Sequence, residues 1–255
     1  MAESLPEILL DKKDMVETVM EVSDKGAEAM GSTAEDSFSV FAISLPLVQL
    51  ALDNTESKEA EYMKEQFQKV WERLEVMSEE VERINQQIKK SDVDMAYFQV
   101  EENLNNVFRK YMDILNAKPK FREVKKKLFL KHFEKTGGDL NLDAIYGAVT
   151  GSSGEPLLET VLATEQRSRR AVEAFCSGLK KLFIMGIIAV MGHAALKQGE
   201  VGEALVSKWQ ERMEEVERRM KAAVDDCKEN FAVQAKMDVE HHLLDKEGSV
   251  NRKLI

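Results

Sequence analysis

Fifteen consecutive residues from Leu182 to Leu196, LFIMGIIAVMGHAAL, carry no charge and a single polar side chain, His193. Lys180, Lys181 and Lys197 flank the run, so a helix built from it is apolar on every side and bounded by charge at both ends. Such a helix has to be enclosed, either by other helices or by lipid. At the α-helical rise the run reaches about 22 Å, short of the roughly 30 Å hydrocarbon core of a bilayer. Leu182, Phe183, Gly186, Ile187, Ala189, Gly192 and His193 are therefore the candidate core, or membrane-active, residues. Gly186, Ala189 and Gly192 fall three apart and make a smooth strip along which another helix can approach closely. His193 reads either as a neutral core imidazole bonded to a carbonyl or a Glu on a neighbouring helix, or as a pH-sensitive lock, because burying a charged imidazole is unfavourable.

The remaining composition favours helices. In 255 residues there are only 4 Pro and 13 Gly, 32% of residues are charged, and aromatics at 7% are too sparse for a β-sandwich or a carbohydrate cleft. A net charge of -10 disfavours general nucleic-acid binding, which needs a dominant basic surface. The N-terminal MAESLPEILLDKKD has no basic stretch followed by a long apolar run, so no secretory signal is expected there. Cys176 and Cys227 lack metal-type spacing and fit reduced thiols in the cytosol. The expectation is a soluble, cytoplasmic protein.

Along the chain, Ser4, Pro6 and Glu7 read as the start of a first helix. A second uncharged segment, Phe38 to Leu52, contains Pro46 and reads as a kinked, buried helix. Between Lys58 and Asn116, Val70, Leu74, Met77, Val81, Ile84 and Ile88 are spaced 4, 3, 4, 3, 4, the seam of a coiled-coil-like helix. A second series, Val100, Leu104, Val107, Tyr111 and Ile114, is offset from the first across residues 91–94. A bend or stutter is expected there, since an unbroken helix would span about 90 Å. Trp209, Met213, Val216, Met220, Ala223 and Cys227 form a comparable seam. The two long seams are expected to pack on each other.

Lys118 to Lys131 holds seven basic residues against one acid, Glu123. Phe121, Val124 and Leu128 make an apolar stripe, read as the inward face, with Lys120, Arg122, Lys125, Lys126 and Lys127 outward. Such a helix either neutralises an acidic neighbour within the fold or binds anionic lipid, nucleic acid or an acidic partner, an anionic surface being the contact for which these five residues are the candidates. Two Gly-containing loops, at Gly137-Gly138 and at Gly151 to Gly154, enclose a short helical segment. The second loop lacks the Gly-Lys-Ser/Thr ending of a phosphate cradle. Glu155-Pro156 then starts a helix expected to run unbroken through the opening apolar stretch. Its inner face is Leu158, Val161, Val172, Phe175, Leu179 and Leu182.

Chemistry-bearing motifs are scarce. His132, His193, His241 and His242 fall in no metal-ligand frame, and no nucleophile elbow or paired cysteine motif occurs. Neither a catalytic residue, nor a metal, nor a cofactor is expected.

The stretch TEQRSRRAVEAFCSGLKKLFIMGIIAVMGHAAL, residues 164–196, with WQERMEEVERRMKAAVDDC, residues 209–227, resembles the rapunzel family of fish proteins. More distantly it is similar to cephalotoxin-like helical proteins of invertebrates. The resemblance implies a soluble, largely helical protein without an assigned enzymatic activity, tied to skeletal growth and innate immune signalling. The toxin-like relatives bring in a membrane-active architecture.

The fold expected is all-α: an elongated bundle of long amphipathic helices around two apolar helices, with residues 1–247 as one domain and 248–255 as a flexible tail. The function expected is a non-enzymatic regulatory or scaffolding protein, monomeric and working through an unidentified protein partner. The alternative is a bundle with the design of an α-helical pore-forming protein, for which an anionic membrane is the partner.

Overall fold

The computed structural model describes residues 95–152, 154, 156–198 and 201–230, together with residues 61, 64, 65, 68, 82–86, 233, 235 and 236. Among the described residues the chain is all-α and contains no strand. From Met95 to Glu229 the described residues form six helices in order: α1 Met95–Asn116, α2 Pro119–Thr136, α3 Gly138–Thr150, α4 Leu157–Thr164, α5 Arg169–Gln198 and α6 Glu203–Glu229. The apolar segment Phe38 to Leu52, the start at Ser4, the tail 248–255 and every residue of the seam from Val70 to Ile88 other than Ile84 lie outside the described residues.

Local chemistry sets the helix boundaries. Pro119 opens α2 behind an extended Lys118, where the missing amide hydrogen costs no helical bond. At the other end Gly137 takes a left-handed φ of 62° and its N–H donates to the Phe133 carbonyl, a conformation that carries no side-chain penalty in glycine. Asn141 then stitches the α2–α3 corner, its Nδ2 donating to the carbonyls of Thr136 and Gly137 at 2.9 and 3.0 Å. Gly151 closes α3 in the same left-handed region.

The helix expected to run unbroken from Pro156 is two helices. Between α4 and α5 the chain turns through Gln166 and Arg167, whose φ angles are 49° and 56°. The turn is held by backbone bonds from the Glu165 N–H to the Val161 carbonyl and from the Arg167 N–H to the Leu162 carbonyl, both 2.9 Å. The Arg167 guanidinium reaches Asp226 on α6 at 2.7 Å, and Arg83 reaches Glu165 at 2.8 Å. These two contacts from distant segments hold the turn in place of the glycine or proline usual at such a break. The inner face survives it: Leu158, Val161, Val172, Phe175, Leu179 and Leu182 are all buried.

Helix α5 touches each of the other five helices. Eleven residues in succession, Leu182 to Gly192, are buried, which is burial around the full circumference for three turns. The sheath comes from the seams: Leu104, Val107, Tyr111 and Ile114 of α1, and Trp209, Met213, Val216, Met220, Ala223 and Cys227 of α6, are all at most 5% exposed. Ile84 is fully buried in the same core.

Candidate functional site

The small-residue strip of α5 receives two large side chains. A methyl group built on Gly192 would stand 2.3 Å from Cε2 of Tyr111 on α1, and one built on Gly186 would stand 2.3 Å from Cδ1 of Leu142 on α3. Both separations are far inside van der Waals contact, so the absent β-carbons are what let α1 and α3 reach the α5 backbone. Ala189 lies between them, 1% exposed. Leu182, Phe183 and Ile187 are buried with it, none more than 4% exposed.

His193 stands where the apolar run meets α2. Its ring stacks on Phe133 with centroids 4.2 Å apart. Its Nε2 is shut off from solvent without a hydrogen-bond partner, 3.7 Å from Glu134 Oε1. The Glu134 carboxylate is held by Lys197 instead. Burial lowers the His193 pKa, Lys197 lowers it further, and Glu134 and Asp139 oppose the shift. The imidazole thus stands beside the Glu134–Lys197 pair with its pKa lowered, chiefly by burial. The sequence anticipated a Glu neighbour but not the ring partner. Phe129 and Phe133, four apart, were the available signal: Phe129 meets Tyr111 edge-on at 5.2 Å, so both rings of that pair face inward.

That packing reverses the face assigned to α2. Phe121, Val124 and Leu128, expected inside, are 51%, 56% and 51% exposed. Arg122, expected outside, is 5% exposed. The two aromatic rings of Phe129 and Phe133 bury more apolar area than the Phe-Val-Leu stripe and find ring partners on α1 and α5. Of the lysines expected outside, Lys120 and Lys127 are exposed, Lys125 pairs with Asp113 at 3.0 Å, and Lys126 pairs with Glu123 at 2.9 Å.

A second polar cluster lies between α3 and α6. Arg212 sits over the rings of Tyr146 and Trp209, 4.6 and 4.8 Å from their centroids, and pairs with Asp143. Cys176 and Cys227 are free and buried, and burial pushes the Cys176 thiol up to about 12. Among the described residues no group of three or more His, Cys, Asp or Glu gathers in a way that could hold a metal ion. His241 and His242 lie outside the described residues.

A family model described as the cephalotoxin-like middle helical domain matches residues 53–248. The chain belongs to that family. The matched region takes in α1 to α6, and with them the α5 strip, His193 and the outward stripe of α2. Protein rapunzel of Danio rerio is 30% identical over 192 residues, which is 74% of this chain and 84% of that protein. The chain is therefore both rapunzel-like and built on the cephalotoxin-like helical domain. No solved structure matches.

Proposed function

We propose that the protein is a non-enzymatic regulatory or scaffolding protein of the cytosol, monomeric, acting through contacts of its helix surfaces with a protein partner. The setting is the one implied by the resemblance to rapunzel, skeletal growth and innate immune signalling. The observation that carries this reading is the filled interior: the run Leu182 to Gly192 of α5 is buried on every side, which leaves the outer faces of the surrounding helices to make contacts. Buried thiols such as Cys176 fit a reducing compartment. The net charge of -10 speaks against nucleic acid as the partner. Four measurements test the proposal. Light scattering should return the mass of one chain. Cross-linking in cells should recover a recurrent protein partner. A stoichiometric metal by elemental analysis, or a melting temperature raised several degrees by ATP and magnesium, would overturn the non-enzymatic reading.

One observation favours a second reading, a membrane-active bundle that stores its apolar helix. Helix α5 is 30 residues long, and its apolar window meets the length and composition of a membrane span while 83% buried. At the helical rise it reaches about 45 Å, more than the roughly 30 Å hydrocarbon core. Leakage of dye from liposomes, dependent on intact α5, tests this reading.

A further inference from the structure

Among the described residues five large apolar side chains are half-exposed or more, and three of them, Phe121, Val124 and Leu128, lie on α2. Their spacing of three and four places them on one ridge within about 60° of arc, given the roughly 100° turn per residue. The buried residues of the same helix, Arg122, Phe129 and Phe133, centre on a direction about 130° away by the same geometry. The ridge therefore points out of the bundle. It is an apolar stripe of the kind that ordinarily seals a helix to its neighbours, turned to solvent.

Charge is sorted around the ridge. Lys120, Lys127 and Lys131 are exposed and lie along one edge of it, and Lys125 lies along the other. The two acids of the helix, Glu123 and Glu134, fall on the far side, and both are engaged, by Lys126 and by Lys197. The Lys120 ammonium stands 4.8 Å over the Phe121 ring, bracketing an apolar tip with a cation. In a chain of net charge -10 this is a local reversal of sign. The arrangement of apolar tips pointing outward with lysines beside them matches a helix lying in the headgroup plane of an anionic bilayer, where long basic side chains reach the headgroups while the apolar residues sink between them.

We infer that α2 is a peripheral membrane-docking element, its Phe121-Val124-Leu128 ridge inserting at an anionic lipid surface while Lys120, Lys127 and Lys131 contact the headgroups. A protein partner would have to supply a groove that is both apolar and acid-rimmed, whereas a fluid anionic surface accepts a single ridge without one. The contact leaves α5 in place, so it stands or falls separately from the insertion of α5 in the second reading above.

The test is co-sedimentation of the full chain with vesicles of phosphatidylcholine alone and with phosphatidylserine added, followed by dye leakage from the same vesicles. Binding should require phosphatidylserine, weaken with salt and proceed without leakage. Replacing Lys120, Lys127 and Lys131 by Gln should weaken it on the order of a hundredfold, since each lysine near the headgroups contributes about a fivefold factor. The double variant Phe121→Ser, Leu128→Ser should weaken it about tenfold or more, with thermal stability retained because both side chains are half outside already. Absence of binding at low salt overturns the proposal and leaves the ridge to an acidic protein partner. Binding that neither variant weakens also overturns it, and if accompanied by leakage it transfers the membrane contact to α5.

Discussion

The imidazole of His193 lies face to face with the ring of Phe133, centroids 4.2 Å apart and planes 13° from parallel. This stack joins α5 to α2 at the end of the apolar run, and a proton on His193 would place a charge there in a desolvated spot, 3.7 Å from a Glu134 carboxylate that Lys197 already holds.

Because burial and Lys197 lower the His193 pKa in the folded state, the unfolded chain takes up that proton first as the pH falls. The contribution is fully present above the unfolded pKa of about 6.5 and is lost as the pH drops through the lowered folded value. Glu134, held below its usual range by Lys197, stays ionised throughout that window. Urea unfolding at about pH 7.5 and about pH 5.5 should show the wild type losing stability and His193→Phe losing less. An equal loss in both would assign the acid sensitivity to His132, whose pKa burial and two nearby lysines also lower.

Gly192→Ala should destabilise more than Gly186→Ala, although both change a helical glycine to the better helix former. The atom in the way at Gly186 is the end of the Leu142 side chain, whereas at Gly192 it is the Tyr111 ring, fully buried and packed edge-on against Phe129. The helix gain of roughly 1 kcal/mol is set against overpacking of typically 1–3 kcal/mol. Denaturant curves should put Gly186→Ala near neutral and Gly192→Ala about 1–2 kcal/mol below wild type. A stabilised Gly192→Ala would mean that Tyr111 yields.

Arg212→Ala should cost about 1–2 kcal/mol, because the guanidinium is partly buried over two rings and paired with Asp143 as well. Arg212→Lys should restore little of it, since an ammonium cannot lie flat across both rings and fork to a carboxylate at once. Full recovery of the midpoint by lysine would reduce the site to simple charge.

Cys176 should resist alkylation at about pH 8 until the protein is unfolded, because its thiol is enclosed and its pKa is pushed up to about 12. Mass spectrometry after iodoacetamide treatment, with and without urea, reads this directly. Rapid labelling of the native chain would mean that α5 and α6 part readily.

Periodicity and charge exposed much of this fold in the sequence. The charge-free run identified α5 as the centre, and the 4, 3, 4, 3, 4 spacing from Trp209 to Cys227 marked a face that is buried at every position. Helix α2 was misread because it carries two apolar stripes, Phe121-Val124-Leu128 and Phe129-Phe133. Spacing alone does not say which one finds partners. That depended on Tyr111, on the preceding helix, and on His193, on a helix remote in the chain. The break before α5 was illegible for a related reason: Gln166 and Arg167 carry no turn signal, and the carboxylate that meets Arg167 belongs to Asp226, 59 residues away.

The seats of Tyr111 on Gly192 and of Leu142 on Gly186 also act as a two-pin lock on the axial setting of α5. They are six residues apart, about 9 Å along the axis. If α5 slid by three residues in one direction, Ala189 and Ala195 would meet the pins, and in the other direction Phe183 and Ala189. A slide of four would bring Val190 and Leu196, or Leu182 and Ile188. Each displaced position puts a side chain where only hydrogen now fits. Between Leu182 and Gly192 the helix has no polar landmark to choose among these positions, so its register there is written by two missing methyl groups.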